Sequence, residues 1–226
     1  MIHPVAVIIP VLGRPERVEP LLSSLYGSER DVELRPLFVV SPGDEAEESA
    51  VRESGADWML MPKTREPGDY ARKINRAFVS AWENGVEWVF MGADDLCFCE
   101  GWADVALEVA AATPTATVIG TNDLGNPAVT TGQHATHSLV RGSYLEAGTI
   151  DETGKLLHEG YRHNWVDNEF VATARHRGVF VFAAGSYVEH LHPAWGKAED
   201  DAIYQLGLAD FNDDRLLFRN RESLWA

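Results

Sequence analysis

The sequence predicts an α/β fold: one domain on a mixed, mostly parallel central sheet flanked by helices, with a helical C-terminal tail. Three observations lead there. Continuous apolar runs rich in β-branched and aromatic residues, "VAVIIPV", "LRPLFVV" and "EWVFMG", have the character of buried strands. Helical segments separate these runs, the rhythm of a parallel sheet. The chain has 226 residues, 45% of them hydrophobic and 7 of them Trp, enough for one sizeable core. No internal repeat or low-complexity linker divides it.

Taken in order, "VAVIIPV" is the first strand. "GRPERVEPLLSSLYGS" follows as a helix with Val18, Leu21, Leu22 and Leu25 on one face. "LRPLFVV" is the second strand, and "SPGDEAEES" turns into an acidic helix. "ADWMLM" is a short third strand. "GDYARKINRAFVSAWENG" is the clearest helix: Asp69 is its expected cap, Tyr70, Ile74, Phe78 and Trp82 recur every fourth residue, and Asn84-Gly85 ends it. "EWVFMG" delivers Asp94 and Asp95. In the second half "GWADVALEVAAAT" is helical and "ATVIG" is a strand. "TNDLGNPAVTTGQHATHS" is a loop long enough to suggest work. "NEFVATARHRG" is a helix closed by Gly178, and "VFVFAAGSYVEH" reads as two short strands. After "HPAWGKAEDDAIYQLG" the tail is polar and helical. The reading is a single domain over 1–226, with a first half to residue 100, a second half over 101–195 and a tail over 196–226.

The formal net charge is −16. It argues against an electrostatic grip on nucleic acid or on an anionic membrane surface. An anionic ligand would need a metal or a few local cations. No apolar run reaches the 18 residues of a membrane-spanning helix. The first residues lack the basic region and cleavage site of a secretory leader and read as a strand. Cys97 and Cys99 stand too close to staple a fold, and the simpler inference is a reducing, cytoplasmic setting.

Several constellations carry chemistry. In open α/β sheets ligands bind beyond the carboxyl ends of the strands. There "PVLGRP" offers Gly13 for close backbone approach and Arg14 as a cation, or simply a helix start before Pro15. "VVSPGDE" ends the second strand. Asp94 and Asp95 repel each other unless water or a cation intervenes, so they form either a solvated turn or a metal site. Lys73 and Asn75 lie off the apolar stripe of their helix, either to reach a phosphate or to face solvent. Asp167 and Glu169, flanked by Trp165 and Phe170, suit a helix N-terminus for dipole reasons alone, or serve as a general base in an aromatic pocket. His190 and His192 alternate on a strand end and should point to opposite faces; one of them could join the aspartates at a cation.

In this order and spacing, "VIIPVLGRPERVEPLLSSL", "KINRAFVSAWENGVEWVFMGADD", "DNEF" and "HLHP" resemble family 2-type glycosyltransferases of the GT-A fold. The resemblance spans most of the chain. Through "GADDL…GW", "TNDLGN", "HATH" and "VEHLHP" it looks closest to small single-domain members, including ones carried by bacteriophages. It implies a nucleotide-diphosphate sugar donor, UDP-linked rather than GDP-linked, and Mn²⁺ or Mg²⁺. Pro10, Leu12, Gly13 and Arg14 then match the loop around the nucleobase and ribose, and Ser41 the second strand end. Family members often carry an acidic pair at that second position, whereas here Ser-Pro-Gly precedes Asp44. Lys73 and Asn75 match the nucleotide-facing helix. Asp95 matches the metal ligand, with Asp94 more often facing the ribose. Asp167 matches the catalytic base, with Glu169 competing, and His190 or His192 matches a histidine completing the metal shell.

The chemistry suits those residue types. A departing nucleoside diphosphate gains negative charge, which a divalent cation neutralises. Carboxylates are the hard ligands such cations prefer, and an imidazole tilts the choice towards Mn²⁺. A carboxylate base at Asp167 implies inversion at the anomeric carbon. Asn122, Asp123, His134 and His137 could bond sugar hydroxyls, while Trp165 and Tyr161 could stack on a pyranose. The acceptor is a glycan or protein hydroxyl, a virion protein among the candidates. The tail either closes over the donor or packs in a homodimer. Two other functions fit the same sheet: a sugar-nucleotide-binding protein without turnover, and a metal-dependent nucleotidyltransferase or pyrophosphohydrolase.

Overall fold

The computed structural model describes residues 4–63 and 68–226. Eight strands form one sheet: β1 (Val5–Pro10), β2 (Leu34–Val40), β3 (Asp57–Leu60), β4 (Trp88–Met91), β5 (Leu96–Phe98), β6 (Val118–Asn122), β7 (Ser138–Arg141) and β8 (Phe180–His190). Their order is β3-β2-β1-β4-β7-β6-β8-β5. β3, β2, β1 and β4 are mutually parallel, as the apolar runs predict. β7 runs antiparallel to both β4 and β6, β6 and β8 are parallel, and β5 closes the far edge antiparallel to β8. The expected mixed, mostly parallel α/β sheet is therefore present.

The helices are α1 (Val18–Gly27), α2 (Glu45–Ser54), α3 (Asp69–Glu83), α4 (Trp102–Ala112), the single turns α5 (Pro127–Thr130) and α6 (Tyr144–Ala147), α7 (Val166–His176) and α8 (Ala202–Arg221). They cover both faces of the sheet. Along β1, Val5, Val7 and Ile9 join the core layer under α1 and α4, while Ala6 and Ile8 join the layer under α3 and α7. That alternation explains why the run is apolar at every position: both faces of the strand are buried. Among the described residues no helix is long and apolar enough to cross a membrane.

Three local expectations are corrected. Asp69 does not cap α3. Gly68 occupies that position at φ +95°, and Asp69 sits one residue inside, 3.3 Å from Lys73. A side chain at Gly68 would meet the Glu159 carbonyl at 2.5 Å, so the tight crossing of two segments demands glycine. The two short strands expected over 179–190 are one strand. The pairs Gly120↔Phe182 and Asn122↔Tyr187 show an irregularity between them, and there the chain bulges around Gly185. β5 and β7 also stand where the sequence reads as turn and loop.

Candidate active site

The carboxyl ends of β1, β2 and β4 converge on one rim. At the end of β1, Gly13 adopts φ +65° and its N–H donates to Asp44 Oδ2 at 2.7 Å. The Arg14 N–H donates to Glu47 Oε2, also at 2.7 Å. Asp44 in turn caps α2. The two loops that the resemblance wraps around a nucleotide are thus fastened to each other through α2. Glu47 is fully buried, and burial, opposed by the Arg14 N–H, pushes its pKa up to about 7. The sequence shows it only as one acid in an acidic helix. The Ser41 hydroxyl is buried at the end of β2 with no hydrogen-bond partner among the described residues.

The Arg14 guanidinium is buried and points along the rim. It donates to Asp94 Oδ1 at 3.1 Å and grips Asp201 through Nε at 2.9 Å and Nη2 at 2.8 Å. Its Cζ lies over the Tyr204 ring, 4.0 Å from the centroid. Asp201 and Tyr204 open α8, with Asp201 as its N-cap. Asp201 has a helix-start signature in the sequence; nothing there shows that α8 folds back onto the first loop. Lys73 also turns inward. Its ammonium donates to the Val11 carbonyl at 3.0 Å behind that loop, and burial lowers its pKa against the pull of Asp69. The solvent-facing alternative for Lys73 is excluded by its burial.

Asp94 and Asp95 form the turn from β4 to β5. Burial and the neighbouring Asp95 charge raise the Asp94 pKa, with Arg14 opposing. Burial pushes the Asp95 carboxyl the same way, but His190 and the Tyr204 hydroxyl hold it well below the usual carboxylate range. His190 Nε2 lies 3.2 Å from Asp95 Oδ2, and the Tyr204 hydroxyl lies 3.0 Å from the same oxygen while accepting from Arg17 at 2.8 Å. The other oxygen, Oδ1, is buried without a partner among the described residues. The His192 ring stands 5.1 Å from that of His190, centroid to centroid. The expectation that the two imidazoles point apart is therefore wrong: β8 ends at His190, so His192 no longer follows the strand's alternation. His192 uses Nδ1 to accept the Ala194 N–H at 3.1 Å.

His137 reaches the same cluster from the start of β7. Its Nδ1 lies 3.0 Å from the Met91 carbonyl, its Nε2 is buried with no partner among the described residues, and its ring is edge-on to His190 at 5.3 Å. Burial, reinforced by His190, lowers its pKa to about 4. Among the described residues no three His, Cys, Asp or Glu side chains stand ready around a metal position. The donor set nevertheless fits a divalent cation. Asp95 Oδ1 is a buried anionic oxygen lacking any partner among the described residues, and such an atom calls for an ion or a water. His137, held through Nδ1 on a backbone carbonyl, bares its second nitrogen as metal-facing histidines do.

Asp167, at the first turn of α7, lies 2.9 Å from His134 Nε2 through its Oδ2. Its competitor Glu169 is buried and accepts hydrogen bonds from Tyr161 at 2.7 Å and from Arg221 at 2.8 Å to each oxygen. Those partners leave Glu169 no freedom to act as a base.

Other expected site residues are held in the framework. The Asn75 amide donates to the Leu157 carbonyl and Glu159 and accepts from the N–H groups of Leu156 and Leu157, a full complement that leaves nothing for a nucleotide. Asn122 bonds Ala184 and Leu124, and Asp123 bonds Gly125, Asn126 and Thr136, so both serve to fold the loop over 121–137. Trp165, at φ +65°, packs against Phe211 and Phe218 of α8, and Tyr161 is buried; neither offers a sugar platform. Pro10 and Leu12 stay partly exposed on the rim loop.

No family model matches this sequence, and no curated protein does. Solved structures do. A mannosyltransferase from Pyrobaculum calidifontis, determined with GDP-Man and Mn²⁺, superposes with a TM-score of 0.64 at 18% identity over 85% of this chain. The match spans 58% of that longer chain. Glucosyl-3-phosphoglycerate synthase from Mycobacterium tuberculosis, in complex with Mn²⁺, UDP and glucosyl-3-phosphoglycerate, gives 0.59 at 11% identity over 91% of this chain and 75% of its own. The same enzyme with phosphoglyceric acid gives 0.58 at 12% identity, over the same shares. The architecture expected from the sequence is thus the one the molecule has: a GT-A-type fold, shared with nucleotide-sugar-dependent glycosyltransferases.

Proposed function

We propose that this chain is a metal-dependent glycosyltransferase that moves a sugar from a nucleotide-diphosphate donor, UDP-linked by preference, to a glycan or protein hydroxyl with inversion. One observation carries the reading. At the end of β4 a buried carboxylate, Asp95, keeps one oxygen without a partner among the described residues, beside His190, which also feels the charge of Asp167 in the Asp167–His134 pair. Solved structures of the same fold with nucleotide sugars and Mn²⁺ support it.

Asp95, with Asp94 and His190, would hold the cation, which when bound neutralises charge on the departing diphosphate. Arg14 and Arg17 supply fixed positive charge on the same rim, an answer to the net −16 of the chain. The acceptor oxygen attacks the anomeric carbon opposite the leaving group. A carbon–oxygen bond forms there as the bond to the diphosphate breaks, and that bond's electrons leave with the diphosphate. Asp167 takes the acceptor proton.

Incubation with Mn²⁺ and a panel of UDP- and GDP-sugars tests this. Slow release of nucleoside diphosphate is expected, with the freed sugar inverted at its anomeric carbon by proton NMR. Binding without turnover would instead assign a sugar-nucleotide-binding protein, and release of pyrophosphate or sugar phosphate a nucleotidyltransferase or pyrophosphohydrolase.

A further inference from the structure

His134 reads in the sequence as one more polar residue of a loop. In the structure it is buried, and the loop over 121–137 is built to hold it still. Asp123 accepts the N–H groups of Gly125 and Asn126, each at 2.9 Å, and the Thr136 hydroxyl at 3.0 Å, bracketing the segment at both ends. The single turn α5 follows, capped by Asn126. Its Ala128 carbonyl then accepts the N–H groups of both Gln133 and His134 at 3.0 Å. The backbone at residue 134 is thereby fixed, and the imidazole meets Asp167 Oδ2 at 2.9 Å. With an ionised carboxylate, the Nε2–H is the donor of that bond. Asp167 itself sits on the first turn of α7, where its neighbours in sequence, Trp165 and Val166, pack into the interior.

We propose that His134 is a positioning residue for the base: its Nε2–H holds one oxygen of Asp167, so that the carboxylate meets the acceptor hydroxyl in a single orientation and the second oxygen takes the proton. This rests on the reading of Asp167 as base and adds a partner to it. The step balances without further reactants. The acceptor's O–H proton passes to Asp167, its electrons go into the new glycosidic bond, and His134 keeps its own proton throughout. A misplaced base is costly, since about an ångström of displacement lowers rates on the order of 100-fold.

The electrostatics of the pair agree with the geometry. Burial works to raise the Asp167 pKa, but the His134 hydrogen bond and charge, helped by the Asn168 N–H and by His137, outweigh it, and the carboxyl sits below its ordinary value. The other groups that face this carboxylate are Tyr70 from α3, His163 ahead of α7 and His190 from β8. Among the described residues none of these three hydrogen-bonds it. His134 is therefore the partner whose loss should move the titration.

The test uses the full chain with Mn²⁺ and whichever UDP- or GDP-sugar it hydrolyses. His134→Ala, His134→Gln and Asp167→Asn are compared with the wild type, after thermal melts confirm that each is folded. His134→Ala is expected to lower kcat for donor hydrolysis about 10- to 100-fold with donor KM unchanged, and His134→Gln, which keeps an N–H donor, to recover most of the loss. The acid limb of the pH–rate profile should move to higher pH in His134→Ala, because a base with a raised pKa ionises later. A second readout needs no turnover: in protein labelled with carboxyl-¹³C aspartate, the Asp167 titration midpoint should rise in His134→Ala. Unchanged midpoints and superimposable acid limbs would overturn the proposal. Should Asp167→Asn turn over at the wild-type rate, the assignment of the base itself has failed; a silent Asp167→Asn with an unmoved His134→Ala profile refutes only the role of His134.

Discussion

At the scale of single residues, chemistry follows from which polar atoms the fold leaves unengaged. Asp167 and Glu169 are two residues apart on α7, yet Arg221 and Tyr161 hold Glu169 through both oxygens, while among the described residues the one side chain that hydrogen-bonds Asp167 is the His134 imidazole. Asp167→Asn should therefore lower donor turnover by about 10²–10⁴-fold, with thermal stabilisation by Mn²⁺ and nucleoside diphosphate retained, whereas Glu169→Gln should act on the melting temperature instead. Glu47 gives a pH signature. Its folded pKa is raised to about 7, so the stability it contributes is full below the ordinary carboxylate value and is lost as pH rises through about 7. Glu47→Gln, which keeps an oxygen for the Arg14 N–H, should flatten this window and be more stable than the wild type at pH 8, by on the order of 2 kcal/mol. Urea melts of both proteins from pH 4.5 to 8 would show it. At this scale the sequence exposes the chemistry-bearing types, Asp95, Asp167 and His190, because a carboxylate or imidazole beside a strand end or helix start is visible as such. It hides burial off the apolar stripe. Lys73 and Asn75 look solvated on a helical wheel, and the structure buries both because the segment over 155–159 and the first loop cover that side of α3.

At the scale of elements, the parallel half of the sheet is legible because each strand there is an uninterrupted apolar run, which only double-sided burial explains. β7 is harder. "SLVR" is four residues long, follows a polar loop, and becomes a strand because β4 and β6 offer unpaired edges on either side of it. β8 divides in the sequence at Ala-Gly-Ser, where the actual strand bulges without ending. Asn75 ties α3 to the segment before α7. Asn75→Ala would strip the buried Leu156 and Leu157 N–H groups of their acceptor, and a loss of about 2–6 kcal/mol is expected at about 1–3 kcal/mol per orphaned group. Urea unfolding measures that loss, and donor affinity in the folded fraction should stay unchanged if Asn75 belongs to the framework.

At the scale of the whole molecule, α8 ties the two ends of the site together. Near its C-terminal end Arg221 pairs with buried Glu169 and with Asp151. Arg221→Met would leave the Glu169 charge buried with only the Tyr161 hydroxyl, at an expected cost of about 3–5 kcal/mol, read as a lowered urea midpoint. At the other end Asp201 and Tyr204 complete the rim around Arg14, Arg17 and Asp95. Contacts of this kind cannot be read from the sequence, since no periodicity or cap signal specifies which distant loop a helix end will meet.

The Arg14–Asp201 pair spans 187 positions of the chain. A ribosome therefore releases the first loop long before its partner exists, and the sheet can assemble while that corner of the molecule still waits. Until α8 emerges, Asp94 is the one carboxylate among the described residues that answers the Arg14 charge. A nascent chain stalled before residue 200 should therefore lack both holds of α8, the Asp201 clasp on Arg14 and the Arg221 pairing with Glu169.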